Sequence, residues 1–117
     1  MPEKPVILAV DDDPLALDRV VDELARRYAR DYDVVGELSA DAALKRIDAL
    51  ATTGQPLALV LADQWMREPH VTGESLLRRT RDLHRGAKRA LLVDWGAWGD
   101  DPTEEAILRA MAEGLID

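Results

Sequence analysis

Short apolar runs alternate with amphipathic helical segments along the chain, and this alternation is the feature that most limits its fold. Val6–Val10 is an uninterrupted apolar run, and Leu57–Ala62 is another that ends at Asp63. Continuous apolar runs of this length are typical of central strands covered on both faces. A weaker strand is predicted at Tyr32–Leu38, and a further strand is predicted at Ala90–Val93. Strands that alternate with helices predict an α/β fold with a doubly wound parallel sheet.

Four helical segments separate or follow these strands. Asp13 is a helix cap followed by proline, and Asp101 begins the same pattern before the fourth helix. Ser39 can cap the second helix, and Gly114 is a natural terminator for the fourth. The predicted apolar stripes are Leu17, Val20, Val21, Leu24 and Tyr28 in the first helix, Ala43, Leu44, Ile47, Leu50 and Ala51 in the second, and Leu76, Leu77, Thr80 and Leu83 in the third.

The end of the chain predicts an incomplete sheet. The 117 residues suit one domain over 1–117, in which Leu115 and Ile116 would barely begin a fifth strand. A parallel sheet that lacks its edge strand exposes backbone groups and apolar surface. We therefore expect either a homodimer through the exposed sheet edge or a native continuation beyond Asp117.

Composition narrows the function classes. A formal net charge of -8 argues against direct binding to nucleic acid. No apolar run approaches the ~20 residues that a membrane span needs, and no signal peptide is visible, so the chain is predicted to be cytoplasmic. Cysteine is absent, which excludes a disulfide scaffold, a thiolate metal site and a dithiol redox centre within this chain.

Aspartates follow two of the predicted strands. Asp11, Asp12 and Asp13 come after the first strand, and Asp63 comes after the third. Ligands of doubly wound sheets bind beyond the carboxyl ends of the strands. Converging carboxylates repel one another, and a hard cation such as magnesium relieves that repulsion. We assign Asp13 to helix capping and the other three to a cation site whose carboxylate could attack phosphorus.

Three motifs, in this order and spacing, resemble the receiver domains of two-component response regulators. They are Val10–Pro14 (VDDDP), the strand ending at Asp63 with Trp65 and Met66 after it, and Gly73 followed by Leu76 and Leu77. The resemblance covers essentially the whole chain. It implies a flavodoxin-like receiver fold, (βα)5, truncated before or at the fifth strand.

The resemblance also implies roles for residues. Asp63 would be the phosphoacceptor, Asp12 would bind magnesium directly, and Asp11 would hold a magnesium-bound water or orient the pair. The backbone carbonyl of Trp65 would be a further ligand. The phosphoryl donor of the family is a histidine kinase or a small acyl phosphate. A receiver of this kind regulates a C-terminal output domain and is not itself an enzyme.

Departures from the family pattern leave two interpretations open. Val93 or Asp94 stands where the family has a hydroxyl residue, and the chain ends before the family's conserved lysine. The loop over 64–72 is about two residues longer than usual, and we interpret His70 within it as solvated. The chain is therefore either a phosphorylatable receiver or a degenerate receiver that acts only in protein–protein interaction.

A haloacid-dehalogenase-type enzyme is a third interpretation, from another class of protein. Asp11 and Asp13 fit the DxD motif of that class, but no second acidic cluster follows.

Two further expectations concern what lies beyond the domain. The residues 63–66 and 88–92 resemble receivers fused ahead of an FAD-dependent, thioredoxin-disulfide-reductase-like module, although this chain has no GxGxxG turn. Trp65, Trp95 and Trp98 all fall in loops on the acidic edge. Our hypothesis is that Trp95 and Trp98 form a surface read by a downstream domain; the alternative is that they pack on each other.

Overall fold

The structure is a computed structural model that describes residues 3–64, 72–92 and 101–117, apart from the side chains of residues 101–104, 106 and 110. Its strands are β1 (Val6–Val10), β2 (Asp33–Glu37), β3 (Leu57–Asp63) and β4 (Lys88–Leu92). Its helices are α1 (Pro14–Tyr28), α2 (Ala40–Thr53), α3 (Gly73–Leu83) and α4 (Asp101–Ala112). The predicted alternation of strands and helices is confirmed.

The four strands form one parallel sheet in the order β2-β1-β3-β4. All five residues of β1 are buried, as expected for a central strand. Val10 pairs with Glu37 on one side and with Ala62 on the other, and Asp63 pairs with Leu92. The carboxyl ends of all four strands therefore lie at one edge of the sheet, and the predicted doubly wound parallel sheet is confirmed.

Helices cover the two faces of the sheet unequally. Val35 packs against the main core with α2 and α3, whereas a Cβ on its neighbour Gly36 would meet Val21 and Leu17 of α1. Successive strand residues point to opposite faces, so α1 lies opposite α2 and α3. The main core joins the strands to α2, α3 and Leu115 of the C-terminal segment. Its buried members include Leu8, Val10, Ile47, Val60, Leu76 and Leu77.

Side chains and glycines define the helix ends, and the predicted caps at Asp13 and Ser39 and the predicted terminator Gly114 are confirmed. The Asp13 carboxylate accepts a hydrogen bond from Leu15 N, and the Ser39 hydroxyl accepts one from Ala42 N. Thr72 and Ser75 form a reciprocal capping box at the start of α3. Gly54, after α2, has a φ of 79°, and Gly114, after α4, has a φ of 72°. Glycine adopts this left-handed conformation without steric cost.

The structure changes the predicted start of the fourth strand. The strand begins at Lys88, not at Ala90, because the backbone ladder with β3 starts at the pair Leu59 and Lys88. Arg89 is buried within it, and its guanidinium donates to the carbonyls of Leu115 and Gly114 at 2.9 and 3.2 Å. Asp117 N donates to Arg89 O at 2.8 Å. Residues 115–117 thus lie beside β4 and share one backbone hydrogen bond with it, which is too few to make them a fifth strand.

The face covered by α1 retains an open groove. Tyr28, predicted to lie on the buried stripe, is 43% exposed and makes an edge contact with Tyr32 at a centroid distance of 6.1 Å. Both rings line a groove of about 300 Å³ with Leu24, Leu59 and Lys88. None of the described helices is long and apolar enough to cross a membrane.

Candidate metal centre

Three aspartates meet where β1 and β3 end. Asp63 is the last residue of β3, and Asp11 follows the last residue of β1. Because Val10 pairs with Ala62, the next residue on each strand lies beside the other. One carboxylate oxygen from each of Asp11, Asp12 and Asp63 lies within 4.8 Å of the other two. We call these three side chains the acidic cluster.

Backbone hydrogen bonds separate the roles of the three consecutive aspartates. Asp11 is only 9% exposed, and its Oδ1 accepts a hydrogen bond from Asp13 N at 3.0 Å. Its own backbone N donates to Glu37 O at 3.2 Å, so the start of the loop is fixed to the sheet. Asp13 Oδ1 is instead bound to Leu15 N at 3.0 Å. Asp13 therefore caps α1, as predicted, while Asp11 and Asp12 belong to the acidic cluster.

Glycine at position 73 allows α3 to begin directly against the end of β3. A Cβ at Gly73 would lie 2.5 Å from the carbonyl oxygen of Asp63 and 2.8 Å from Leu91 Cδ2. Gly73 N also donates to Gln64 O at 3.1 Å. The backbone that carries Asp63 is thus in contact with the first residue of α3.

Gln64 is a buried residue that the sequence placed at the start of a loop. Its backbone N donates to Leu92 O at 3.1 Å, which extends the β3–β4 ladder by one residue past Asp63. Its side chain is 1% exposed, and Oε1 has no hydrogen-bond partner among the described residues. A buried acceptor left without a donor costs about 1–3 kcal/mol.

The donor set of the acidic cluster fits a magnesium ion. All three donors are carboxylate oxygens, which are the hard ligands that magnesium prefers. Magnesium keeps several waters and therefore needs few protein ligands. The cluster offers no nitrogen or sulfur donor, so its chemistry favours magnesium or calcium over zinc.

Several predicted positions lie outside the described residues. These are Trp65, whose carbonyl was predicted as a ligand, the positions Val93 and Asp94 that lack a hydroxyl, the loop residue His70, and the loop tryptophans Trp95 and Trp98. Their roles stay predictions, as do the individual roles of Asp11, Asp12 and Asp63.

Sequence reasoning missed an ion-pair network beside the site. Glu74 of α3 has a side chain only 8% exposed, and it pairs with Arg78 and with Arg109 of α4. The pKa of Glu74 is lowered mainly by its hydrogen bonds from Arg109, whereas burial of the carboxylate acts to raise that pKa. The spacing of Glu74 and Arg78 indicates a pair within one helix, whereas no local pattern indicates Arg109.

No family model matches the chain, and no curated protein sequence matches it significantly. Solved structures do match. The fold is the flavodoxin-like receiver fold: a four-stranded parallel sheet with flanking helices, shared with response-regulator receiver domains.

Three of these structures illustrate the likeness. The response regulator TrrA from Thermotoga maritima, in complex with Mg²⁺ and BeF, is 22% identical with a TM-score of 0.62, over 96% of this chain and 99% of that one. A Burkholderia pseudomallei response regulator with a phosphorylated aspartic acid, calcium ion and citrate is 21% identical with a TM-score of 0.66, over 91% of this chain and 55% of that one. The adenylate cyclase from Rhodopirellula baltica is also 21% identical with a TM-score of 0.66, over 97% of this chain and 73% of that one.

Proposed function

We propose that this chain is a phosphoacceptor receiver domain of a two-component signalling protein, with Asp63 as the residue that accepts the phosphoryl group. The observation that carries the proposal is the acidic cluster at the carboxyl edge of the sheet. The proposal takes residues 1–117 as one cytoplasmic domain that is not itself an enzyme. Two of the similar structures, one with Mg²⁺ and BeF and one with a phosphorylated aspartic acid, support it by their fold.

Each acid has a role in this proposal. The Asp63 carboxylate oxygen forms a bond to phosphorus while phosphorus loses its bond to the donor, a histidine nitrogen of a kinase or an oxygen of an acyl phosphate. Asp12 and Asp63 would bind magnesium directly, with the Trp65 carbonyl as a further ligand, and Asp11 would hold a magnesium-bound water or orient the pair. Magnesium, when bound, neutralises the charge on the phosphoryl oxygens. Asp11 is suited to an orienting role because its burial and its bond to Asp13 N hold it in place.

Partners are part of the same proposal. A histidine kinase donates the phosphoryl group, and a C-terminal output domain reads it. The sequence resemblance is what supports a thioredoxin-reductase-like flavoprotein as the output, and the solved structures add no support for it. A homodimer through the exposed sheet edge is a further prediction, to be tested by sedimentation.

The alternative is a degenerate receiver that only binds other proteins. The sequence observation that favours it is the missing hydroxyl at Val93 and Asp94. The carboxylate at Asp94 would repel an incoming phosphoryl group, because the two are like charges. In this alternative the acidic cluster still binds a cation, but no phosphoryl group is transferred.

Mass spectrometry after incubation with Mg²⁺ and acetyl phosphate distinguishes these functions. We expect one added phosphoryl group on the wild-type chain and none on Asp63→Asn. Asp13→Asn is the matched control, because asparagine also caps helices and Asp13 lies beside the cluster without facing it. If the wild-type chain binds Mg²⁺ in calorimetry but gains no mass, the degenerate receiver is correct. Absence of Mg²⁺ binding would contradict both.

A further inference from the structure

The first residues of α3 connect the acidic cluster to α4. Gly73 contacts the Asp63 carbonyl so closely that a Cβ would lie 2.5 Å from it, and Gly73 N is bound to Gln64 O. Movement of this helix end toward β3 would therefore displace the backbone that carries Asp63, and movement away from β3 would break the hydrogen bond between Gly73 N and Gln64 O. Backbone contacts of this kind transmit displacement because packed interiors have little free space.

The next residue, Glu74, is held by two hydrogen bonds from one guanidinium. Arg109 Nε donates to Oε1 at 3.1 Å, and Arg109 Nη2 donates to Oε2 at 3.0 Å. This paired geometry fixes orientation as well as distance, which a single bond does not. Arg78 adds a third bond to Oε1 at 3.3 Å from within α3.

Burial makes the Glu74–Arg109 ion pair important for the position of α3. The Glu74 side chain is 8% exposed, while that of Arg109 is 56% exposed. Without Arg109 the buried carboxylate would keep only the single, longer hydrogen bond from Arg78, which is unfavourable for a buried charge, so the helix end would shift to expose it. Arg79 forms a comparable pair with Asp48 at 3.1 Å on the same helix, but both partners are about half exposed.

We propose that Glu74 is a positioning residue for the acidic cluster: its ion pair with Arg109 holds the start of α3 against the Asp63 carbonyl and thereby fixes the Asp63 carboxylate relative to Asp11 and Asp12. This inference rests on the proposed cation site. It also makes α4 sensitive to that site, since coupling between two equilibria is reciprocal. A cation bound at the cluster stabilises the α3–α4 contact by the same factor that the contact strengthens cation binding.

The test is a Mg²⁺ titration of the chain by calorimetry, with urea unfolding measured separately without Mg²⁺. We expect Glu74→Gln and Arg109→Gln to weaken Mg²⁺ binding about 3- to 10-fold, less than the 10- to 100-fold typical of a group bonded directly to a metal ligand. Arg109→Lys keeps the charge but loses the paired geometry, so partial rescue is expected. Arg79→Gln, which breaks the exposed pair with Asp48, should leave the affinity unchanged.

Each outcome decides the inference. The inference is supported if Mg²⁺ binding is weaker in the Glu74 and Arg109 variants but unchanged in Arg79→Gln, provided that all variants are folded at the titration temperature. If Glu74→Gln does not fold, Arg109→Lys becomes the test variant, because lysine keeps the positive charge that pairs with the Glu74 carboxylate. Equal affinity in all variants overturns the positioning role and leaves the proposed function intact, as does an equal loss in Arg79→Gln. A wild-type chain that binds no Mg²⁺ overturns the proposed function itself.

Discussion

Replacing Gly73 by alanine tests the close contact between α3 and the end of β3. The added Cβ would lie 2.5 Å from Asp63 O, 2.8 Å from Leu91 Cδ2 and 3.0 Å from Asp63 C. Two of these three atoms belong to the backbone of a buried sheet, so they cannot move as a flexible side chain can. Gly73 has no positive φ, and alanine is therefore acceptable to the backbone conformation itself.

The expected magnitude is the difference between two opposing effects. Alanine lowers the entropy of the unfolded chain and gains about 0.4–1 kcal/mol where the conformation permits it. Overpacking costs about 1–3 kcal/mol. The net loss in the free energy of unfolding is about 0.5–2 kcal/mol, which at an m-value of about 2 kcal/mol/M lowers the urea midpoint by roughly 0.3–1 M.

Urea denaturation followed by circular dichroism measures this loss, and Gly86→Ala is the control. A Cβ at Gly86 meets nothing within 4 Å, and its φ is not positive. We expect Gly86→Ala to be neutral or stabilising by up to about 1 kcal/mol. If Gly73→Ala were as stable as Gly86→Ala, α3 could move away from β3 without cost, and the reasoning about the close contact would be refuted.

Two further predictions concern single carboxylates. Asp13→Ala removes the cap of α1 and should cost about 1 kcal/mol in urea unfolding without weakening Mg²⁺ binding; a loss of Mg²⁺ affinity equal to that of Asp63→Asn would contradict the assignment of Asp13 as a cap. The second prediction follows from the lowered pKa of Glu74 in the folded chain. Between the folded and unfolded pKa values the unfolded chain binds more protons, so the Glu74 contribution is complete above the ordinary pKa of 4.5 and is lost as pH falls through the lower folded pKa. The stability difference between wild type and Glu74→Gln should therefore be full at pH 7 and shrink in acid, and a pH-independent difference would show that the charge of Glu74 is not its source.

Local patterns predicted most of the fold because each element carries its own signal. The apolar run Val6–Val10 has the same bounds in the sequence prediction and in the structure. The start of β4 was wrong because Lys88 and Arg89 look like solvent-exposed residues. Arg89 is buried only because Leu115 and Gly114, far along the chain, provide carbonyl oxygens for its guanidinium. A partner so distant in sequence has no local signature.

The candidate site shows the same division between local and distant causes. Asp11 and Asp63 could be placed together from the sequence because strand ends of a parallel sheet share one edge. The role of Gly73 could be anticipated as a glycine in a family motif, but its contact with the Asp63 carbonyl depends on how α3 is seated. Glu74 resembled an ordinary acidic residue in the first turn of a helix. Its pairing with Arg109 depends on the packing of α3 beside α4.

The strand order has a consequence for how the chain is made. Strand β1 leaves the ribosome before β3 and lies in the middle of the sheet, where Val6 pairs with Leu57 of β3. At a synthesis rate of about 5–20 residues/s, the interval between these two strands lasts roughly 2–10 s. During that time β1, which is buried along its whole length in the folded chain, has one edge whose backbone groups are unpaired. Until β3 is synthesised, this open edge of β1 can pair with a strand of another chain.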